Sequence, residues 1–376
     1  MFRDAEVLRQ LVRRWCPSSH TFFFAHCELT VTLEDIENHW LLPILGDHDP
    51  AKIELSPEEL RIETALENYI GRKNTSLGTQ AARFTSWMEH FKREKDASIR
   101  RAAFVAYWFS KCIFGEHPTY SIKPLYFPIA VKIAAGICFP LAPLLLGQLY
   151  TQLDFLHVEE LIGASCFTVA TAFNSSVVHT FLWEHALDYI TKGRKPYKGR
   201  NKFANMLERV ATRIGDFQGD VPAVFRWVGC KFYDHSLIPS LDRGDKVCWR
   251  PYGVTHRGFT YNLIMSRFQN VEAQDYTLIA QDMRSLTFLS ATNVGWLPVL
   301  SLGRLQFTTY CAHRVRRQFG FDQEVPAVMG ITAGEIPTIN PFLKTRAFAY
   351  WSGVALRVVI PNGNRVGIYT AGMNNY

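Results

Sequence analysis

Between Ile133 and Gly147 the chain runs IAAGICFPLAPLLLG, fifteen residues with no charge, interrupted by Pro140 and Pro143. A membrane span needs about 20 consecutive apolar residues. A proline inside a helix removes a backbone donor and collides with the preceding turn. The run is therefore read as two buried helices meeting at the prolines, with no membrane involved. Helices without a polar face have to be wrapped by other apolar elements, so a large core must surround them. Composition supplies it: 48% of the 376 residues are hydrophobic, 20% are charged, and 27 Phe, 15 Tyr and 9 Trp are available to fill space. That balance belongs to a globular chain able to form one large domain or two ordinary ones.

Helical periodicity recurs along the first half. Leu8, Leu11, Val12 and Trp15 share one face of an opening helix that Pro17 should end. Thr21–Phe24 and Leu29–Leu33 are β-prone runs around a turn at Ala25–Glu28, which suggests a hairpin. Thr32-Leu33-Glu34-Asp35 has the form of a capping box, predicting a short helix that stops before Pro43. Ser56-Pro57-Glu58-Glu59 starts another helix, with Ser as cap and proline first. Phe84, Trp87, Met88 and Phe91 repeat the spacing, and a further helix is expected over about Ile99 to Phe114. From Val158 the pattern runs toward Phe181 as one long helix or as two, broken near Asn174-Ser175-Ser176. Beyond residue 190 the elements are shorter, with helices around Val221–Trp227 and Glu272–Arg284 and a second hairpin turning at Pro361–Asn364. The expected fold is mainly α: a large helical domain with small β-hairpins near the N-terminus (about 21–33) and the C-terminus (about 357–369). A possible division is a helical half, 1–190, a basic loop, 191–203, and a mixed half, 204–376.

The basic loop is the sharpest change in composition. TKGRKPYKGRNK carries Lys192, Arg194, Lys195, Lys198, Arg200 and Lys202 with no acid among them. Together with a net charge of +7, these cations suit phosphate binding or nuclear import, and equally a solvated connector. The eight cysteines are scattered and never spaced C-x-x-C, which reads as reduced thiols in the nucleus or cytoplasm. The first fifteen residues are charged and amphipathic, unlike a secretory signal.

Three blocks form a recognisable order. The first is Arg14-Trp15, Pro17, His20-Thr21-Phe22, then Glu28, Thr30, Thr32, Asp35 and Leu42-Pro43. The second is Asn174-Ser175 followed by Phe181-Leu182-Trp183-Glu184. The third is Arg314-Val315, Arg317-Gln318-Phe319-Gly320, Gln323 and Pro326. This order resembles the signatures of the plant mobile domain, a family related to transposon-encoded proteins that includes the maintenance-of-meristems-like proteins of plant nuclei. One departure is Trp40-Leu41-Leu42-Pro43, where the family more often shows a Gly-Leu-Pro turn. Relatives also commonly carry more sequence upstream of the first block.

The resemblance implies a nuclear protein that acts in transposable-element silencing, gene-expression control and meristem maintenance, alongside a protein phosphatase 7-like partner. Its signature residues are expected to build the fold. Trp15 should pack the first helix on the hairpin, while Arg14 or Arg317 satisfies carbonyls or a carboxylate such as Glu28 or Asp35. A partner surface is expected where exposed aromatic residues are flanked by arginine.

Chemistry is less well marked. The family also carries the label "aminotransferase-like", yet Lys231, Lys246 and Lys344 are only isolated candidates for a Schiff-base lysine, and no cofactor is expected. Cys16, His20, His26 and Cys27 crowd together without zinc spacing, and adjacent hairpin residues should point apart. His179, Glu184 and His185 do not match the H-E-x-x-H pattern. Asp216, Asp220, Asp242 and Asp245 are acids that a transposon nuclease would require, and are read as loop residues. The expected function is a non-enzymatic nuclear scaffold. The alternatives are a transposon-derived nucleic-acid binder and, distantly, a pyridoxal-dependent transferase.

Overall fold

A computed structural model describes residues 4–77, 83–115, 121–162, 173–189, 224, 227, 234–251, 279–301, 304–321, 323, 326 and 341–354. Helices dominate these residues, as the periodicity predicts. α1 spans Ala5–Val12, and three short strands follow: β1 (Trp15–Cys16), β2 (Thr21–Phe24) and β3 (Cys27–Leu29). α2 (Leu33–Trp40), α3 (Pro57–Leu77), α4 (Phe84–Lys92), α5 (Ala97–Trp108), α6 (Phe127–Ala134), α7 (Leu141–Leu161) and α8 (Ser175–His185) make up the helical half. Later come α9 (Leu237–Ser240), α10 (Met283–Thr292), the hairpin β4 (Gly295–Ser301) and β5 (Arg304–Tyr310), and α11 (Lys344–Val354).

The proline-broken apolar run becomes α6 and α7, with Pro140 capping α7 and Pro143 in its first turn. No helix of the described residues is long and apolar enough to cross a membrane. The first half of α7 is buried almost throughout, from Leu141 to Leu153. It is surrounded by α2, α1, β1, β4 and β5. Gly147 permits the closest of these approaches, because a Cβ there would lie 2.6 Å from the Pro298 carbonyl oxygen of β4. A side chain at that position would push the hairpin off the helix.

The second layer is α3 to α6. Trp87 sits at its centre, fully buried, with its ring against Phe91, Tyr69 and Phe127 and its Nε1 donating to the Ala103 carbonyl at 2.9 Å. Ser56 caps α3 as expected, and Glu59 completes a capping box by accepting from the Ser56 amide. α5 runs into one wide π-type turn, Phe109–Ile113.

Several local expectations change. α1 stops at Val12, and Trp15 leaves the helix to pair with Phe22 in β1. Pro17, which biases the residue before it toward extended backbone, explains why the helix cannot continue. The first sheet has three antiparallel strands, and its β2–β3 turn is only Ala25-His26. The Leu29–Leu33 run contributes just Leu29 to that sheet, since Thr30 bonds elsewhere. The box at Thr32 and Asp35 caps α2 as read. α2 exits through Leu41 at φ 52°, the left-handed position where the resemblance expects glycine. The Asn174 break is present, with Asn174 capping α8. Of the helix expected over Glu272–Arg284, residues 272–278 lie outside the described residues, and α10 starts at Met283, where Asp282 caps it by accepting from the Ser285 amide. The β4–β5 hairpin is a finding that sequence reading missed: Pro298 obscures it, but a two-stranded sheet has no second ladder for a proline to break. The hairpin expected at 357–369, and all but Val224 and Trp227 of Val221–Trp227, lie outside the described residues.

Candidate functional site

The signature residues, hundreds of positions apart, meet around the first sheet, the middle of α7 and the turns after β5. Strand β3 ends at Leu29, and Thr30 then takes a side chain as its neighbour. The Gln318 amide donates to the Thr30 carbonyl at 2.8 Å, and its carbonyl accepts the Thr30 N–H at 2.9 Å. One buried glutamine thus substitutes for a strand. Gly320, at φ 81°, closes the helical turn that presents it, and Phe319 anchors that turn in the core. Gln323 ties down the same region by accepting from Arg316 N and donating to the His313 carbonyl.

Around this joint the ionisable residues form closed pairs. Arg314 grips Glu28 through two parallel bonds, and the Thr21 hydroxyl donates to the same carboxylate at 2.6 Å. Arg14 makes a second two-pronged pair, with Asp242, at 2.6 and 2.7 Å, and lies over the Phe24 ring. Such forked contacts combine charge with fixed orientation. Asp242 also accepts from Ala25 N. Its carboxyl lies below the usual range chiefly because Arg14 hydrogen-bonds its charged form. Glu34 is fully buried and paired with Arg250. Asp35, also buried, holds the His185 ring at 2.9 Å and the Thr32 N–H at 2.8 Å. Burial raises its pKa, but His185, His39 and the Thr32 amide together outweigh that and lower it.

His20 is the most constrained member. Its backbone is left-handed at φ 51°, unusual outside glycine. Its Nε2 lies 3.0 Å from Asp154 and its Nδ1 2.7 Å from the Thr309 hydroxyl. The Thr309 carbonyl oxygen also lies 2.8 Å from Nδ1, so both ring nitrogens have polar partners in either tautomer. Trp15 stacks on the ring and donates to the other Asp154 oxygen at 2.7 Å. Tyr150 packs against the same ring and donates to Val31 O at 2.7 Å. Burial holds the Tyr150 phenol far above its ordinary pKa, so it remains a donor. The row of aspartate, histidine and threonine links α7, the β1–β2 turn and β5 to one another.

The middle block is structural as well. Asn174 donates to the carbonyls of Cys112 and Ile113, which the wide turn after α5 would otherwise leave open. Glu184 accepts from the buried Trp227 indole at 2.7 Å, and Trp183 packs on Trp227. The Pro43 carbonyl accepts from Ala142 N, which seats the exit from α2 on the start of α7.

Some assignments are corrected. Glu28 pairs with Arg314 rather than Arg14 or Arg317, and the exposed Arg317 lies over the Trp249 ring, 5.3 Å from its centroid. Asp35 pairs with a histidine. Asp242 is a bridging residue and no mere loop acid, whereas Asp245 pairs with Arg243 at the surface. His26 and Cys27 do not point apart: Sγ and Nε2 lie 3.3 Å from each other, because His26 sits in the turn. Burial pushes the Cys27 thiol up to about 12, away from the thiolate a metal needs. Among the described residues, no group of three or more His, Cys, Asp or Glu is placed to hold a metal ion. His179 accepts from Asp4 N through Nε2. Lys246 pairs with Asp188 and Lys344 with Asp47. Lys231, Asp216, Asp220 and the six cations from Lys192 to Lys202 lie outside the described residues. Sequence reading missed Asp154, Tyr150, Arg250 and Thr309 as partners. The demand of a buried Arg or His for an acid was the one available signal, and it names no position.

The plant mobile domain family model matches residues 1–364. The chain belongs to the plant mobile domain family. No curated protein and no solved structure matches it. The polar network described above is accordingly the interior of a plant mobile domain, built by its own signature residues.

Proposed function

We propose that this plant mobile domain acts as a non-enzymatic interaction scaffold in the nucleus, serving transposable-element silencing, gene-expression control and meristem maintenance beside a protein phosphatase 7-like partner. One observation supports the reading above others. The charged signature residues Arg14, Glu28, Asp35 and Arg314 are engaged with one another's neighbours as fasteners. Residues occupied in this way stabilise a surface-bearing framework. The test is affinity purification of the tagged chain from plant nuclei, followed by mass spectrometry. A phosphatase of that class is the expected co-purifying protein, and recovery of nucleic acid alone would reject the scaffold.

A nucleic-acid-binding reading rests on the six cations of the Lys192–Lys202 stretch. Gel-shift assays across a salt series check it, because phosphate contacts impose a steep salt dependence. Replacing the six by serine should flatten that slope if they grip phosphate. For the transferase reading, purified protein mixed with pyridoxal phosphate should show the absorbance of a lysine adduct.

A further inference from the structure

Helices α4 and α5 and the end of α6 enclose a surface groove of about 480 Å³. Its walls are apolar, formed by Met88, Phe91, Phe104 and Ile133. Phe104 is 57% exposed, a large aromatic face left in water. The only charged residues lining the groove are cations: Lys92, Arg100 and Arg101. Arg100 and Arg101 precede Phe104 by four and three positions on α5, so they lie on its face of the helix.

These cations have no acid of their own. Arg100 donates to the Glu94 carbonyl at 2.9 Å and Arg101 to the Ala97 carbonyl at 3.3 Å. Among the described residues, no carboxylate forms a salt bridge with either arginine or with Lys92. A second groove, of about 540 Å³, borders α4 and gives an internal contrast. There Arg93 and Lys95 face Glu89 and Glu94, so both signs are present. Of these two grooves, the first joins an apolar floor to charge of a single sign.

We propose that this groove docks an acidic amphipathic helix from a protein partner. Apolar side chains at helical spacing would cover Phe104 and fill the space beside Met88, while Asp or Glu residues flanking them meet Lys92, Arg100 and Arg101. Charge complementarity selects this occupant: an apolar strip bordered only by cations matches a helix whose apolar stripe is bordered by acids. The proposal rests on the scaffold reading and supplies it with a docking surface and a partner chemistry.

The test uses the full chain and a fluorescein-labelled synthetic helix with Leu and Phe on one face and Glu on its borders, followed by fluorescence anisotropy. Saturable binding is expected. Phe104→Asp, and separately the double change Arg100→Glu with Arg101→Glu, should each weaken it by at least about tenfold. All three side chains are exposed, so unchanged circular dichroism should accompany the loss. Equal binding by a peptide carrying Lys in place of Glu overturns the proposal, as does unaltered binding by both variants. A single-stranded oligonucleotide or oleate that binds with the same dependence on Phe104 also overturns it, in favour of nucleic acid or an acyl chain. If the peptide fails while nuclear purification still recovers the phosphatase, the groove is wrong and the scaffold stands. If purification recovers no protein, the scaffold falls whatever the peptide does.

Discussion

The two layers of this molecule are held together by different physics. Around α7 the apolar core encloses polar groups: Glu34, Asp35, His185 and Gln318 are buried among hydrophobic side chains and each is hydrogen-bonded. In the α3–α6 layer the interior is aromatic and aliphatic around Trp87, and ion pairs such as Arg61–Asp96 and Lys132–Glu59 stay at its margin. The difference lies in specificity. An apolar core tolerates volume-conserving exchange, whereas a buried charge is satisfied by one partner in one geometry and costs several kcal/mol without it. The polar layer thereby fixes how distant segments join, and the aromatic layer adds bulk and carries the open groove.

The strongest way to break this contrast is to remove one partner of a buried pair. Arg250→Met should destabilise the chain by about 3–5 kcal/mol, because the buried Glu34 then loses its arginine. Adding Glu34→Met should recover most of that loss in urea unfolding, which a simple packing defect would not allow. Equal damage in the single and double variants would mean that packing, not charge, governs this layer.

Acid provides a second test. Asp35 has a lowered pKa in the fold. Its contribution is therefore full above the ordinary carboxylate range and disappears as pH falls through the folded value. Hydrogen exchange should reveal α2 and α8 opening in acid before α4 and α5. Asp35→Asn should remove the part of the pH dependence that Asp35 carries. Simultaneous opening of both layers would erase the distinction.

Glycines sharpen it further. Gly147→Ala should cost about 1–3 kcal/mol, since the new methyl group meets the Pro298 carbonyl. Gly71→Ala, in α3 of the aromatic layer, has nothing within 4 Å and should stabilise by up to about 1 kcal/mol through helix propensity. Thermal melts of the two variants should move in opposite directions.

The smallest effect is expected at Leu41. A side chain in the left-handed region costs about 1–2 kcal/mol, and glycine relieves this while enlarging the freedom of the unfolded chain. Leu41→Gly should yield a net gain of up to about 1 kcal/mol in thermal unfolding. A loss would mean that the half-exposed Leu41 side chain has a packing role that outweighs its backbone strain.

Local sequence fixed what is local. Thr32 with Asp35, and Ser56 alone, capped their helices as read, because cap and amide lie within one turn. Pro140 and Pro143 mark the start of α7, since a proline is accommodated at a helix's entrance, while α6 ends at Ala134 just ahead of the left-handed Gly136. The family blocks were also legible, since their order survives in the linear text. Tertiary structure alone decided which charges meet. Arg14 finds Asp242 across 228 positions, and Gln318 reaches Thr30 across 288. Helical spacing sets Arg100 and Arg101 beside Phe104, whereas only folding brings Lys92 of α4 to the same groove. Coulomb attraction and hydrogen bonding act through space, so a sequence reveals the need for a partner and leaves its position to the packed chain.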